Sequence, residues 1–122
     1  MPEPLLTFVH ISDTHIPSDP AYKTGYTDIT PYDGSIALVK QINALPIKPD
    51  FVLHTGDVAY DPYPEAYSAC RDILGEIKYP VHYVAGNHDA SAALQNSLVQ
   101  RGRADLQLHY EFEVNGVQIV VV

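Results

Sequence analysis

Side chains that bind metal ions are concentrated at three points of the sequence, each directly after a short apolar run. Asp13 and His15 follow the first run, Asp57 follows the second, and Asn87, His88 and Asp89 follow the third. Carboxylate, amide and imidazole groups are the donors that hold Mn, Fe or Zn in proteins, and one cysteine provides no thiolate cluster. The residue types therefore predict a metal centre.

The spacing of these residues indicates what such a centre would do. Asp13 and His15 are two positions apart, and side chains at that spacing in a strand point the same way, so both can hold one ion. Asp57 is the natural carboxylate to bridge two ions. Two ions about 3.5–4 Å apart clamp a phosphate and activate a bridging hydroxide as the nucleophile. This chemistry is phosphate-ester hydrolysis without a serine or cysteine nucleophile.

The elements that must position these residues alternate between strand and helix. Strands are predicted at Leu5–Ile11, Phe51–His54 and Val81–Ala85, and helices begin at Asp33 or Ser35, at Asp61-Pro62 and at Ser91. Leu38, Ile42 and Leu45 mark the inner face of the first helix, and Ala66, Cys70 and Ile73 that of the second. Alternating residues from Leu106 to Val114, then Asn115-Gly116 and Val117–Val122, predict a hairpin. This order predicts a mainly parallel α/β sheet with an added antiparallel hairpin.

Because the carboxyl ends of parallel strands share one edge of a sheet, we expect the three clusters to converge there. Gly56 and Gly86 would let the backbone turn beside the ions. Between the first strand and the first helix lies a long connection, residues 16–33, that contains three tyrosines. A loop of this length is either a lid or binding loop, or a surface excursion.

Composition limits the other classes of function. The 122 residues suffice for one domain, the net charge is −8, and the seven Lys and Arg residues are dispersed, so no nucleic-acid-binding patch is expected. No stretch approaches the roughly 20 apolar residues of a membrane span, and the N-terminus has no basic signal region. The single cysteine, Cys70, excludes an internal disulfide, and a cytoplasmic location is predicted.

Three segments resemble the first signature blocks of the calcineurin-like metallophosphoesterase family: Ile11-Ser12-Asp13-Thr14-His15, His54-Thr55-Gly56-Asp57 and Ala85-Gly86-Asn87-His88-Asp89. The resemblance covers nearly the whole chain. It implies a four-layer α/β/β/α sandwich of which this chain is the N-terminal half. We therefore expect residues 1–122 to be a metallophosphoesterase domain that is incomplete at its C-terminus, as the apolar run at the chain end also suggests.

The resemblance also implies roles for the individual residues. Asp13 and His15 would hold the first of two divalent or trivalent ions, Asp57 would bridge, and Asn87 would hold the second. His88 would protonate the leaving oxygen or stabilise charge, and Asp89 would orient its ring. The family takes further histidine ligands from two later blocks, which His109 does not match. The fragment alone is therefore expected to bind metal poorly and to be inactive without those ligands.

Within the family, the first two blocks are most similar to cyclic-nucleotide and glycerophosphodiester phosphodiesterases. Tyr60 occupies the position of a metal-binding tyrosine in purple acid phosphatases, but the presence of His15 predicts that Tyr60 lies beside the ligands. His54 is either another support for them or an ordinary packed residue. The predicted function is hydrolysis of a small phosphodiester such as a cyclic nucleotide. A phosphomonoesterase of small phosphates, or a non-catalytic scaffold, are the alternatives, and an uncovered sheet face predicts self-association.

Overall fold

The computed structural model describes residues 3–85 and 110–122. In chain order its elements are β1 (Phe8–Ile11), α1 (Pro31–Asn43), β2 (Phe51–His54), α2 (Pro64–Leu74), β3 (Val81–Tyr83), β4 (Tyr110–Val114) and β5 (Val117–Val121). The first three strands form a parallel sheet in the order β1-β2-β3, and β4 pairs with β5 as an antiparallel hairpin. The predicted α/β class, with a mainly parallel sheet and an added hairpin, is confirmed.

Both helices pack on one face of the parallel sheet. Successive strand residues point to opposite faces, so Val52 and His54 of β2 face the helices. Val39 of α1 and Cys70 of α2 are buried in the same apolar cluster as Val52. Since the hairpin described below covers the other face of the sheet, both faces of β2 are covered, which explains its continuous apolar sequence.

The hairpin covers the opposite face of the sheet. The Phe112 ring stacks on His82 of β3 with centroids 3.6 Å apart, and its edge meets Phe51 of β2 at 5.3 Å. At the edge of β3, the Tyr110 hydroxyl donates to the Tyr83 carbonyl oxygen (2.6 Å) and accepts from the Tyr83 amide (2.9 Å). The two contacts join the hairpin to the sheet through both a stacked ring and a shared hydroxyl.

The turn of the hairpin is the predicted Asn115-Gly116 pair. Both residues have positive φ, 52° for Asn115 and 81° for Gly116, as this type of two-residue turn requires. The Asn115 side-chain amide also donates to the Leu5 carbonyl (3.1 Å) and to Asp50 (3.2 Å). The turn therefore fastens the hairpin to the start of the chain as well as reversing its direction.

Several predicted boundaries are wrong. α1 begins at Pro31 because the Thr30 hydroxyl, rather than Asp33 or Ser35, caps it by accepting from the Asp33 amide at 3.0 Å. α2 begins at Pro64 rather than at Asp61-Pro62, and the predicted cap, Asp61, accepts hydrogen bonds from Ser18 and from the Tyr63 amide. In both helices the true start has proline at its first position, where no amide hydrogen is needed.

Other bounds differ for similarly local reasons. β1 begins at Phe8 rather than at Leu5, which is exposed, and β3 ends at Tyr83 rather than at Ala85. Leu45 lies beyond the end of α1 and is exposed, and the buried residues of α1 are Ser35, Val39 and Ile42. The predicted third helix at Ser91 and the strand residues 106–109 lie outside the described residues. Among the helices the structure describes, none is long and apolar enough to cross a membrane.

Candidate metal centre

Two neighbouring loops carry the candidate ligands, and they continue the pairing of the strands they follow. After β1 and β2 end, the Asp13 amide donates to the Gly56 carbonyl (2.9 Å) and the His15 amide to the Asp57 carbonyl (3.0 Å). A bridge then pairs Ile16 with Ala59 at the same residue offset as in β1 and β2. The two loops therefore run side by side in fixed register along the carboxyl edge of the sheet.

All three described ligand candidates adopt left-handed backbone conformations. The φ angles are 56° for Asp13, 45° for His15 and 52° for Asp57. Each costs about 1–3 kcal/mol unless neighbouring contacts hold it, although Asp and His tolerate this region better than most residues. The expectation that Asp13 and His15 converge through strand alternation is wrong, since both follow β1. They converge in a loop whose left-handed residues are held by hydrogen bonds to the Gly56 and Asp57 carbonyls.

The ligand atoms of Asp13, His15 and Asp57 all lie within 4.8 Å of one another. His15 Nε2 is 3.3 Å from Asp13 Oδ1 and 3.9 Å from Asp57 Oδ2. The Asp57 side chain is 14% exposed and that of Asp13 58%, so the group opens outwards through Asp13. Two carboxylates and an imidazole this close together form a group that fits a metal ion.

The electrostatics of Asp13 favour the form that binds a cation. A hydrogen bond from the Ser12 hydroxyl, followed by contacts with His15, lowers the pKa of the Asp13 carboxyl below its usual value. Asp13 is therefore ionised throughout the neutral range. An ionised carboxylate at the open side of the group is the form required of a ligand.

His54 lies beneath these loops and joins them. It is fully buried, and its Nδ1 accepts the Gly56 amide hydrogen at 3.2 Å. Because Nδ1 accepts, the hydrogen-bond network assigns the proton to Nε2, which donates to the Thr14 hydroxyl at 2.9 Å. Thr14 in turn donates to the Val58 carbonyl at 2.8 Å. One chain of hydrogen bonds thus links the loop of Asp13 and His15 to the loop of Asp57.

A cavity of about 740 Å³ opens beside the ligand group. It is bounded by residues 12–15, by Tyr60, by the start of α1, and by the long connection through Tyr22, Thr24, Tyr26, Thr27 and Ile29. The Tyr22 and Tyr60 rings lie 4.5 Å apart, and a hydrogen bond to Tyr60 raises the pKa of Tyr22. The tyrosine-rich connection therefore forms a wall of the cavity next to Asp13 and His15.

Not every predicted site residue falls within the part of the chain that is described. Asp13, His15 and Asp57 are brought together, His54 lies below them, and Tyr60 lines the adjoining cavity. Asn87, His88 and Asp89 lie outside the described residues, as does His109. The sequence analysis assigned no role to Thr14. Its position between the ligand candidates Asp13 and His15 was the available signal.

Comparison with known proteins places this geometry in context. The chain is 37% identical over 87 residues to the glycerophosphodiester phosphodiesterase GpdQ of Enterobacter lignolyticus, covering 71% of this chain and 31% of that protein. It is 29% identical over 125 residues to a cAMP/cGMP dual specificity phosphodiesterase of Mycobacterium tuberculosis, covering 99% and 39%. A probable cyclic nucleotide phosphodiesterase of Rhodococcus erythropolis is 24% identical over 125 residues, covering 99% and 40%. The chain thus spans well under half the length of these relatives.

A family model also matches most of the chain. The model of the calcineurin-like phosphoesterase family matches residues 6–120, which include the three segments with ligand candidates. Members of this family depend on metal ions, in agreement with the donor group at the carboxyl edge of the sheet. The chain belongs to the calcineurin-like phosphoesterase family.

Proposed function

We propose that this chain is the N-terminal part of the catalytic domain of a metal-dependent phosphodiesterase. The observation that supports it most is the convergence of Asp13, His15 and Asp57 within 4.8 Å in a member of the calcineurin-like phosphoesterase family. The relatives named above are phosphodiesterases of glycerophosphodiesters or cyclic nucleotides. Their names favour a small diester over a phosphomonoester, and the intact donor group disfavours a non-catalytic scaffold.

We propose two ions in this centre, drawn from Mn, Fe and Zn. When bound, such ions supply the positive charge that orients a phosphate and lowers the pKa of water. Asp13 and His15 would hold one ion, and Asp57 would contribute its carboxylate to both. Asn87 would supply an amide oxygen to the second ion. The remaining ligands come from residues beyond the segments named here.

The other roles concern protons. His88 would protonate the leaving oxygen of the ester or stabilise its charge, and Asp89 would orient the His88 ring. His54 and Thr14 keep the two ligand loops in register through their hydrogen bonds. A cytoplasmic location and self-association are proposals from the sequence alone, and the sheet face expected to be uncovered packs against the hairpin at Phe51 and His82.

The test measures metal content and phosphodiester hydrolysis in three variants of the longest native chain that carries this sequence. Asp57→Asn should abolish turnover and reduce the binding of both ions, because it removes the shared carboxylate. His88→Asn should lower the rate about 10²–10⁴-fold, the usual contribution of a general acid, while metal content stays unchanged.

Asp72→Asn is the matched control, since Asp72 is an exposed carboxylate on α2 that forms an ion pair with the neighbouring Arg71 at 3.8 Å. It should leave both measurements at the wild-type level. Loss of metal from His88→Asn would show that the proposed role of His88 is wrong. Wild-type protein that neither binds Mn²⁺ nor hydrolyses any phosphodiester in its presence would refute the proposed function.

A further inference from the structure

The lining of the cavity beside the metal centre restricts which organic group the phosphodiester substrate can have. Among residues 3–85 and 110–122, the charged or metal-binding side chains that line it are Asp13 and His15, the candidate ion ligands. Within the described part of the chain, no Lys or Arg lines the cavity, so nothing there neutralises a second anion. A substituent bearing another phosphate or carboxylate would be desolvated without a partner.

One wall of the cavity is aromatic. Tyr22 and Tyr60 lie with ring centroids 4.5 Å apart and planes tilted by 31°, and Tyr60 is 42% exposed. A hydrogen bond connects the two side chains, which is why the pKa of Tyr22 is raised. The hydroxyls thus hold the pair in place, and ring surface remains for a ligand to contact.

The rest of the lining supplies a few neutral polar groups. Thr24 and Thr27 contribute hydroxyls that both donate and accept, while Ile29 and Leu38 contribute apolar surface. Hydroxyls beside an aromatic wall suit the edge and face of a heterocyclic ring. A glycerol substituent has no flat apolar face and would leave this wall in contact with water.

From this lining we infer that the cavity binds the neutral, planar aromatic substituent of the substrate, so that the diester is a nucleoside phosphodiester rather than a glycerophosphodiester. The base stacks on the Tyr22–Tyr60 pair, and its phosphate reaches the Asp13 and His15 end of the cavity. The inference rests on the proposed function and narrows it to one substrate class. A cavity of about 740 Å³ lies within the range that holds ligands of this size.

The experiment measures binding without metal, so that it does not depend on turnover. Saturation-transfer NMR in the presence of EDTA is recorded with 3′,5′-cyclic AMP and, separately, with glycerophosphocholine. We expect saturation of the adenine protons to exceed that of the ribose protons. Tyr22→Leu should weaken cyclic AMP binding roughly 5- to 150-fold, the loss that corresponds to one stacking contact.

Two further variants separate the ring from its hydroxyl and from general effects. Tyr60→Phe keeps the ring and should retain binding within about twofold, whereas Tyr60→Leu should lose it. Tyr63→Leu is the control, since Tyr63 is an exposed tyrosine outside the cavity lining. Unchanged cyclic AMP binding in both leucine variants of the pair would overturn the inference, as would tighter binding of glycerophosphocholine than of cyclic AMP.

These outcomes are distinguishable from failure of the proposed function. Metal-dependent hydrolysis of glycerophosphocholine with no response to the tyrosine variants would leave the phosphodiesterase proposal standing and refute the aromatic subsite. Binding of the adenine ring by the tyrosine pair in a protein that hydrolyses no diester would support the subsite and refute the catalytic proposal.

Discussion

Replacing His54 by Phe should destabilise the protein by roughly 2–4 kcal/mol. The substitution leaves the buried Gly56 amide without its acceptor, at about 1–3 kcal/mol, and removes the donor to Thr14, at about 0.5–1.5 kcal/mol. The cavity contribution is small, because Phe fills a similar space and can keep the stacked contact with Tyr83. A loss of this size is a large part of the 5–15 kcal/mol typical of domain stability.

Urea unfolding followed by circular dichroism measures this loss. His10→Phe is the matched control, because the His10 hydrogen bond to Thr55 is exposed and its removal should cost less than about 0.5 kcal/mol. Thr14→Val breaks the same chain of hydrogen bonds, so its cost and that of His54→Phe should sum to more than the cost of the double variant. Equal unfolding free energies for His54→Phe and His10→Phe would refute the assignment of His54 as the link between the ligand loops.

Three further predictions concern the hairpin and its packing. Tyr110→Phe removes the hydroxyl shared by the Tyr83 amide and carbonyl and should lower the unfolding free energy by about 1–3 kcal/mol in urea titrations. Burial against Phe112 lowers the pKa of His82, so the unfolded chain binds the proton more tightly than the folded chain. The free energy of unfolding should therefore fall as the pH drops below about 6.5, and His82→Phe should make it depend less on pH. Asn115→Gly loses two side-chain hydrogen bonds but adopts the positive φ of the turn without strain. It should therefore lower the thermal unfolding temperature less than Asn115→Ala, which loses the same bonds and is also strained at that φ.

The sequence determines the elements that position the site more clearly than their ends. Apolar runs fixed β2 at its observed bounds, and the Asn115-Gly116 signal located the hairpin turn. Helix starts were misplaced because several capping residues compete within a few positions, and the choice depends on tertiary contacts such as that between Asp61 and Ser18. Local sequence does not encode those partners.

For the candidate site, residue identity could be predicted but backbone geometry could not. The residue types and their positions after apolar runs identified Asp13, His15 and Asp57. Their left-handed φ angles depend on pairing between loops that lie far apart in sequence, so no local sequence pattern predicts these angles. The Tyr22–Tyr60 contact has the same origin, since it joins the long connection to the loop after β2.

The central claim, that Asp13, His15 and Asp57 form a metal centre, is tested most directly by paramagnetic broadening. Substoichiometric Mn²⁺ is added to ¹⁵N-labelled protein, and the intensity of each assigned amide signal is followed. The amides of these three residues should broaden first, while that of Asp72 on α2 keeps its intensity until the site is filled. Uniform broadening, or earlier broadening around Asp72 than around Asp57, would contradict the account.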